Sequence, residues 1–143
     1  GMEMDPRELT KEEAGQLKRV VIWWKQQRDW LLHADILRLD TSDEVVLAEQ
    51  HLSATKEQFV VFAGKSDTSV QISPRPLALA GLDAQARYEI EIVNGDELEN
   101  LSRGECALKE RKITLSGSYL MNYGVTLPWQ FPNAMWVLEG KRL

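Results

Sequence analysis

The chain of 143 residues holds a single cysteine, Cys106, so no internal disulfide can form. That cysteine usage fits a reducing compartment, the cytoplasm. Two histidines, His33 and His51, and one thiol are too few for a metal cluster, and no metal or cofactor is called for. No apolar run approaches the ~20 residues that a membrane span requires. No cationic, apolar, small-residue secretion signal is recognisable either. Basic residues are outnumbered, 17 Lys and Arg against 22 Asp and Glu, which gives a formal net charge of −5. Phosphate-backbone binding draws on clustered Lys and Arg, so a nucleic-acid partner is disfavoured. There is no repeat, no low-complexity tract and no long linker. Gly1 ahead of Met2 reads as the remnant of a cleaved tag and is left out of the fold reasoning.

What is present is ordinary for a soluble globular protein, 43% hydrophobic and 27% charged. One domain of this size buries roughly 68% of the surface its unfolded chain exposes, enough for a core without staples. Two unequal parts are visible. In "LTKEEAGQLKRVVIWWKQQRDWLLH", Thr10 can cap a helix while Glu13, three residues on, reaches back to it. Pro6 keeps the helix from starting much earlier. Leu17, Val20, Val21, Trp24, Arg28, Leu31 and Leu32 then recur at three- and four-residue spacing and share one face. Trp23 and Trp30 lie beside that stripe, so the apolar surface is wider than one small sheet requires. A second covering surface is implied.

After Asp40 the pattern changes to short β-branched and aromatic segments divided by turn-formers, the signature of antiparallel β structure. Strands are predicted near 45–52, 57–64, 69–72, 86–93, 112–116, 118–123 and 135–140. In "YEIEIV", Tyr88, Ile90 and Ile92 face one way while Glu89 and Glu91 face water. Asn94-Gly95 is a local hairpin signal, and Gly64, Gly81-Leu82-Asp83 and Ser116-Gly117 mark further turns. The predicted fold is mainly β: an antiparallel β-sandwich of Greek-key type with about seven to eight strands, preceded by one long amphipathic α-helix. The division expected is 1–40 for the helical segment and 41–143 for the sandwich.

Motifs for chemistry are sparse. Ser53-Ala54-Thr55-Lys56 matches S-x-x-K, but the S-D-N and K-T-G elements that this chemistry also needs are missing, so a polar turn is the reading. Asn100-Leu101-Ser102 fits a glycosylation sequon, a pattern that often arises by chance. Asp40, Asp43, Glu44, Asp96, Glu97 and Glu99 sit in turns, where acids act as caps and solvated loop residues; sequence alone does not tell them from a glycosidase acid pair. Lys109-Glu110-Arg111-Lys112 reads as a solvated strand entry. Gly140-Lys141 lacks the glycine that a phosphate loop would need at Met135. Of the five tryptophans, Trp23, Trp24 and Trp30 serve packing on the helix. Trp129, in "LPWQFPN" between two prolines, is the candidate platform for a ligand such as a sugar, or else a lid over the end of the sandwich, with Trp136 as a second aromatic to consider.

The ordered set "MDPREL", "EEAGQLKRVVIWWKQQRDWLLH", "LRLD", "LALAGLDAQARYEI" and "SGSYLMNYGVTLPWQFPNAMWVLEG" resembles the C-terminal end of bacterial α-galactosidases of glycoside hydrolase family 36. Its most specific pieces are the K-x-x-R-x-x-L pattern at Lys25, Arg28 and Leu31, the G-L-D-x-x-A-x-Y from Gly81 to Tyr88, and the L-M-x-x-G-x-x-L-P from Leu120 to Pro128. The turn at His33-Ala34-Asp35 departs from the family by lacking a glycine often found there.

The resemblance implies an enzyme with an N-terminal β-supersandwich, a catalytic (β/α)₈ barrel and a small C-terminal β-sandwich. The helix from Thr10 would be the last barrel helix, and the catalytic barrel would be the partner that covers its outer side. The parent would be a retaining enzyme that removes terminal α-linked galactose from oligosaccharides of the raffinose and melibiose type. Its nucleophile lies in a K-W-D-type strand end and its acid/base Asp in a Cys- and Gly-rich loop; neither pattern occurs here, so no catalytic residue carries over. This chain alone is expected to be inactive and to meet oligosaccharide only through the parent. Two alternatives stay open: a free-standing carbohydrate-binding module, and a structural or oligomerisation module in which a second copy is the partner.

Overall fold

In a computed structural model of the chain, which describes residues 5–71, 75–99, 101 and 106–143, Thr10 closes the capping box its sequence predicts. Its Oγ accepts from the Glu13 N–H at 3.2 Å, and the Glu13 carboxylate accepts from the Thr10 N–H at 2.8 Å. Two orphan donors of the first turn are thereby satisfied. The helix α1 runs Lys11–Leu31 and belongs to the first of two units, Gly1–His33, the second being Ala34–Leu143.

The buried positions of α1 are Gln27 and Leu31. Trp23 and Trp30 are half-buried, and the Trp30 indole N–H donates to Gln27 Oε1 at 2.8 Å. Of the expected stripe, Leu31 is buried and Leu17 and Val21 are half-buried, whereas Trp24 stays 40% exposed and Arg28 is exposed. The least exposed line thus runs through Trp23, Gln27, Trp30 and Leu31. A polar residue holds one of its central places, which a search for apolar spacing passes over. Val20, Ile22 and Leu32 remain exposed.

The second unit is built on six antiparallel strands: β1 (Asp35–Leu39), β2 (Val46–Leu52), β3 (Gln58–Lys65), β4 (Arg87–Ile92), β5 (Ile113–Ser116) and β6 (Ala134–Arg142). Their order in the sheet is β1-β2-β3-β6-β4-β5. Mainly β architecture after one long helix is as predicted, with six strands in place of seven to eight. Three differences account for the count. Residues 118–123 form not a strand but a short helix, α2 (Gly117–Asn122), because Ser116 Oγ caps it by accepting from the Tyr119 N–H at 3.1 Å. Residues 69–71 lie outside the strands, and position 72 is outside the described residues. The strand β1 was not foreseen. Asn94-Gly95 starts no hairpin either: its chain enters a 3-10 turn, Gly95–Glu97, and the Asn94 side chain clamps β6 by donating to the Met135 carbonyl and accepting from the Val137 N–H.

One face of the sheet is mainly apolar, its polar members being Gln50, whose buried amide pairs with the Ala80 backbone, and Lys65 at the end of β3. Phe59 stands opposite Leu52 and Gly140, Val61 opposite Leu138, Ala63 opposite Trp136, and Tyr88 opposite Leu115. Tyr88, Ile90, Phe59 and Val61 are wholly buried, each removed from water at a gain of roughly 1.5–3 kcal/mol for a large apolar side chain. Glu89 and Glu91 emerge on the other face, where Lys112 Nζ lies 3.5 Å and 2.9 Å from them. A slip of one residue would exchange these sets. The second layer over the apolar face comes from Leu77, Leu79, Leu82, Leu108, Leu120, Val125 and Leu127, all in the same core cluster, with a short Leu77–Val125 bridge between them. Tyr88 ties the layers: its hydroxyl accepts from the Asp83 N–H at 3.1 Å and donates to the Lys56 carbonyl at 2.8 Å.

Candidate functional site

Trp129 is held in place from below. Gln130, next to it, is buried, and its side chain pairs with the backbone of Glu99, accepting at 3.1 Å and donating at 2.8 Å. Lys65 at the end of β3 is buried too. Its Nζ donates to the Gln130 carbonyl at 2.9 Å and lies 5.2 Å from the centroid of the Trp129 ring. Carbonyl and ring face together compensate the desolvated ammonium. Phe131 stands across from Trp129 at 4.9 Å with the rings 76° apart, a T-shaped corner favoured by the ring quadrupoles. The corner opens on a cavity of about 320 Å³ that Thr68, Ser69 and Gln71 also line.

Trp136, the other aromatic considered, is no platform: it is 3% exposed and its indole N–H donates to the Pro128 carbonyl at 3.1 Å. The remaining candidates are dispersed. Ser53 to Lys56 form the β2–β3 turn, where Ser53 Oγ accepts the N–H groups of Glu57 and Gln58, both at 3.1 Å. Lys56 sits in the left-handed region with φ 57. These are the bonds of a turn, as the sequence suggested, and they occupy the Ser53 oxygen. His51 meets Glu49 at 2.9 Å and forms a T-shaped pair with Phe62, ring centroids 5.4 Å apart, on the open sheet face. That face carries a wide depression of about 1110 Å³ with exposed Ile36, Leu47 and Met135 on its rim.

Asp43 Oδ1 accepts from the Val45 N–H in a local turn, Asp96 and Glu97 lie in the 3-10 turn, and Asp40 and Glu44 are exposed. Lys109 Nζ donates to the Leu101 carbonyl. Arg111 and Lys112 are exposed, and the hydrogen bond that the Lys112 ammonium donates to the Glu91 carboxylate, with Glu89 adding to it, raises the Lys112 pKa above its ordinary value. Cys106 Sγ donates to the Thr126 carbonyl at 3.1 Å, and His33 is exposed. The sequon at Asn100-Leu101-Ser102 has its first and third positions outside the described residues. Among the described residues no three His, Cys, Asp or Glu side chains converge on a metal site. No described helix is long and apolar enough to cross a membrane. Lys65, Gln71 and Phe131 were not singled out by sequence. Only "WQF" hinted at Phe131, through its two-residue spacing from Trp129.

Residues 46–138, more than half of the chain, match the family model of the glycosyl hydrolase family 36 C-terminal domain. The chain belongs to this family. The family 36 domain here is 23% identical over 135 residues to an α-galactosidase of Escherichia coli, covering 90% of this chain and 19% of that protein. Among solved structures it is similar to the family 36 α-galactosidase AgaA of Geobacillus stearothermophilus in complex with 1-deoxygalactonojirimycin, with a TM-score of 0.75, 23% identity, and coverage of 99% of this chain and 17% of that one. It is also similar to the α-galactosidase of Lactobacillus brevis, with a TM-score of 0.73, 18% identity, and coverage of 99% of this chain and 18% of that one. The likeness to these structures is one of fold. The family 36 domain thus spans about a fifth of the length of the relatives it matches.

Proposed function

We propose that this family 36 domain is the non-catalytic C-terminal part of a retaining α-galactosidase, with the helical unit that ends at His33 contributing the last helix of the catalytic barrel and the β unit from Ala34 the sandwich that packs on the barrel. The family match over residues 46–138 carries the reading. The exposed Val20, Ile22 and Leu32 of α1 support it, since a barrel helix separated from its barrel keeps an uncovered apolar strip. The parent acts on terminal α-linked galactose in oligosaccharides of the raffinose and melibiose type, in the reducing cytoplasm that the lone Cys106 suits. Here the chain supports the barrel and supplies neither carboxylate.

The experiment is hydrolysis of a chromogenic α-galactoside by the purified chain, alone and mixed with a family 36 α-galactosidase truncated before its last barrel helix. No turnover by the chain alone is expected, with recovery of activity or thermal stability in the truncated enzyme when the chain is added. Turnover by the chain alone that is lost on replacing one of its own Asp or Glu residues would overturn the reading. A second copy covers the apolar strip in the oligomerisation alternative, which sedimentation of the isolated chain separates from the first.

A further inference from the structure

Gln71 Oε1 is buried and has no hydrogen-bond partner among the described residues. Its own Nε2 donates to the Ser42 carbonyl at 2.6 Å, which fixes the orientation of the amide. Buried polar atoms in native proteins find a donor in the protein, in water or in a ligand, so this oxygen asks for one from outside the described chain. Gln71 lines the same cavity as Trp129 and Phe131.

The other lining groups narrow the chemistry. Phe131 is 52% exposed and offers an apolar ring at the mouth. Ser69 Oγ already accepts from the Gln71 N–H at 2.9 Å, which leaves its proton to donate, and the Thr68 hydroxyl is beside it. No carboxylate is among the described lining residues, and the Lys65 ammonium is engaged by the Gln130 carbonyl and the Trp129 ring. A metal ion finds no anionic ligand among the described lining residues, and an anion finds no uncommitted cation among them. The complementary molecule is neutral, has an apolar face to lie on aromatic rings, and carries hydroxyls that both donate and accept. The volume of about 320 Å³ stands at the lower end of the roughly 300–1,000 Å³ of ligand pockets, which suits one ring and not a chain of them.

We propose that this cavity binds one neutral saccharide ring, stacked at the Trp129–Phe131 corner with a ring hydroxyl donating to Gln71 Oε1. This gives the chain a ligand of its own and goes beyond the barrel-support reading, which assigns it none.

The test is titration of the full chain with methyl α-D-galactopyranoside and with raffinose, followed by the NMR signals of the Trp129 indole and the Gln71 side-chain amide. Saturable shifts of both groups in the millimolar range are expected. Phe131→Ala, at an exposed position outside the core, should weaken binding about three- to tenfold. Gln71→Leu, which removes the acceptor at similar volume, should abolish the shift of the Trp129 indole while the circular dichroism spectrum stays unchanged. Three results would each overturn the proposal: no saturable shift, equal shifts with glycerol at matched hydroxyl concentration, or unchanged affinity in both variants. In those cases a bound water supplies the donor to Gln71. None of these outcomes bears on the hydrolysis and complementation results, so the two readings fail separately.

Discussion

The ring of Phe59 occupies the space that a side chain on Gly140 would need: a Cβ built there would run into its Cζ and both Cε atoms. The two residues are direct cross-strand partners, and Ile90 faces Gly140 from the other side. Where β3, β6 and β4 meet, the glycine is therefore a hole that an aromatic ring fills, and that ring extends to Tyr88 at 5.7 Å.

Gly140→Ala should destabilise the chain by about 1–3 kcal/mol through overpacking. Shrinking the ring makes room, so Phe59→Leu and Gly140→Ala together should cost clearly less than the sum of the two single changes. Urea unfolding of the three variants decides; strict additivity would mean that the ring is not what meets the added methyl.

The two faces of β4 should respond differently to truncation. Ile90 is wholly buried in the core cluster, so Ile90→Ala should cost roughly 2–5 kcal/mol. Glu89 is half-exposed and shares Lys112 with Glu91, so Glu89→Ala should change stability by less than about half a kcal/mol. Equal effects in thermal unfolding would place the apolar side chains on the wrong side of the sheet.

The legible parts of this fold are those whose signal is local. The two-residue period of Tyr88 to Ile92 named its buried face, and Thr10 with Glu13 named the helix start. Trp129 stood out because prolines on both sides kept it from a strand. The strand β1 was hidden because "DILRL" is a five-residue edge strand in which the exposed Ile36 stands beside the inward Leu37, so the apolar pair masks an alternation that the burial of Leu37 and Leu39 shows. In α2, a serine cap and a six-residue span left too few turns for a helical period to be read. The aromatic corner depends on Lys65 meeting Gln130 across 65 positions, and Gln71 matters only through an atom that lacks a partner among the described residues. Such facts come from tertiary placement, and no pattern within a short window carries them.

Tyr88→Phe tests the tie between the layers. Loss of the hydroxyl leaves the Asp83 N–H and the Lys56 carbonyl without it, and since both bonds are only part-buried the loss should cost about 0.5–1.5 kcal/mol, the net value of an ordinary hydrogen bond. The ring itself stays, so the core is not hollowed. Thermal unfolding should show the loss, and amide exchange should rise at Asp83 first. A variant as stable as the parent chain would mean that water replaces the hydroxyl at no cost.

The capping box of α1 sets the final prediction, and it concerns pH. The backbone N–H of Thr10, which the Glu13 carboxylate accepts, holds the Glu13 pKa below its ordinary 4.5, with the Thr10 hydroxyl contributing the smaller share. A carboxyl whose folded pKa is depressed stabilises the fold above its unfolded value and loses that contribution as pH falls through the folded one. The first turn of α1 should therefore be equally protected at all pH values above the ordinary carboxylate range and should loosen below it. Glu13→Gln keeps a side chain able to reach the Thr10 N–H but cannot titrate, so its protection should not change over that window. Amide exchange and the chemical shift of the Thr10 N–H, followed from neutral to acid pH in both proteins, measure this. A Thr10 signal that titrates at the ordinary Glu value, or a Glu13→Gln variant with the same pH dependence, would show that the carboxylate does not hold the helix start.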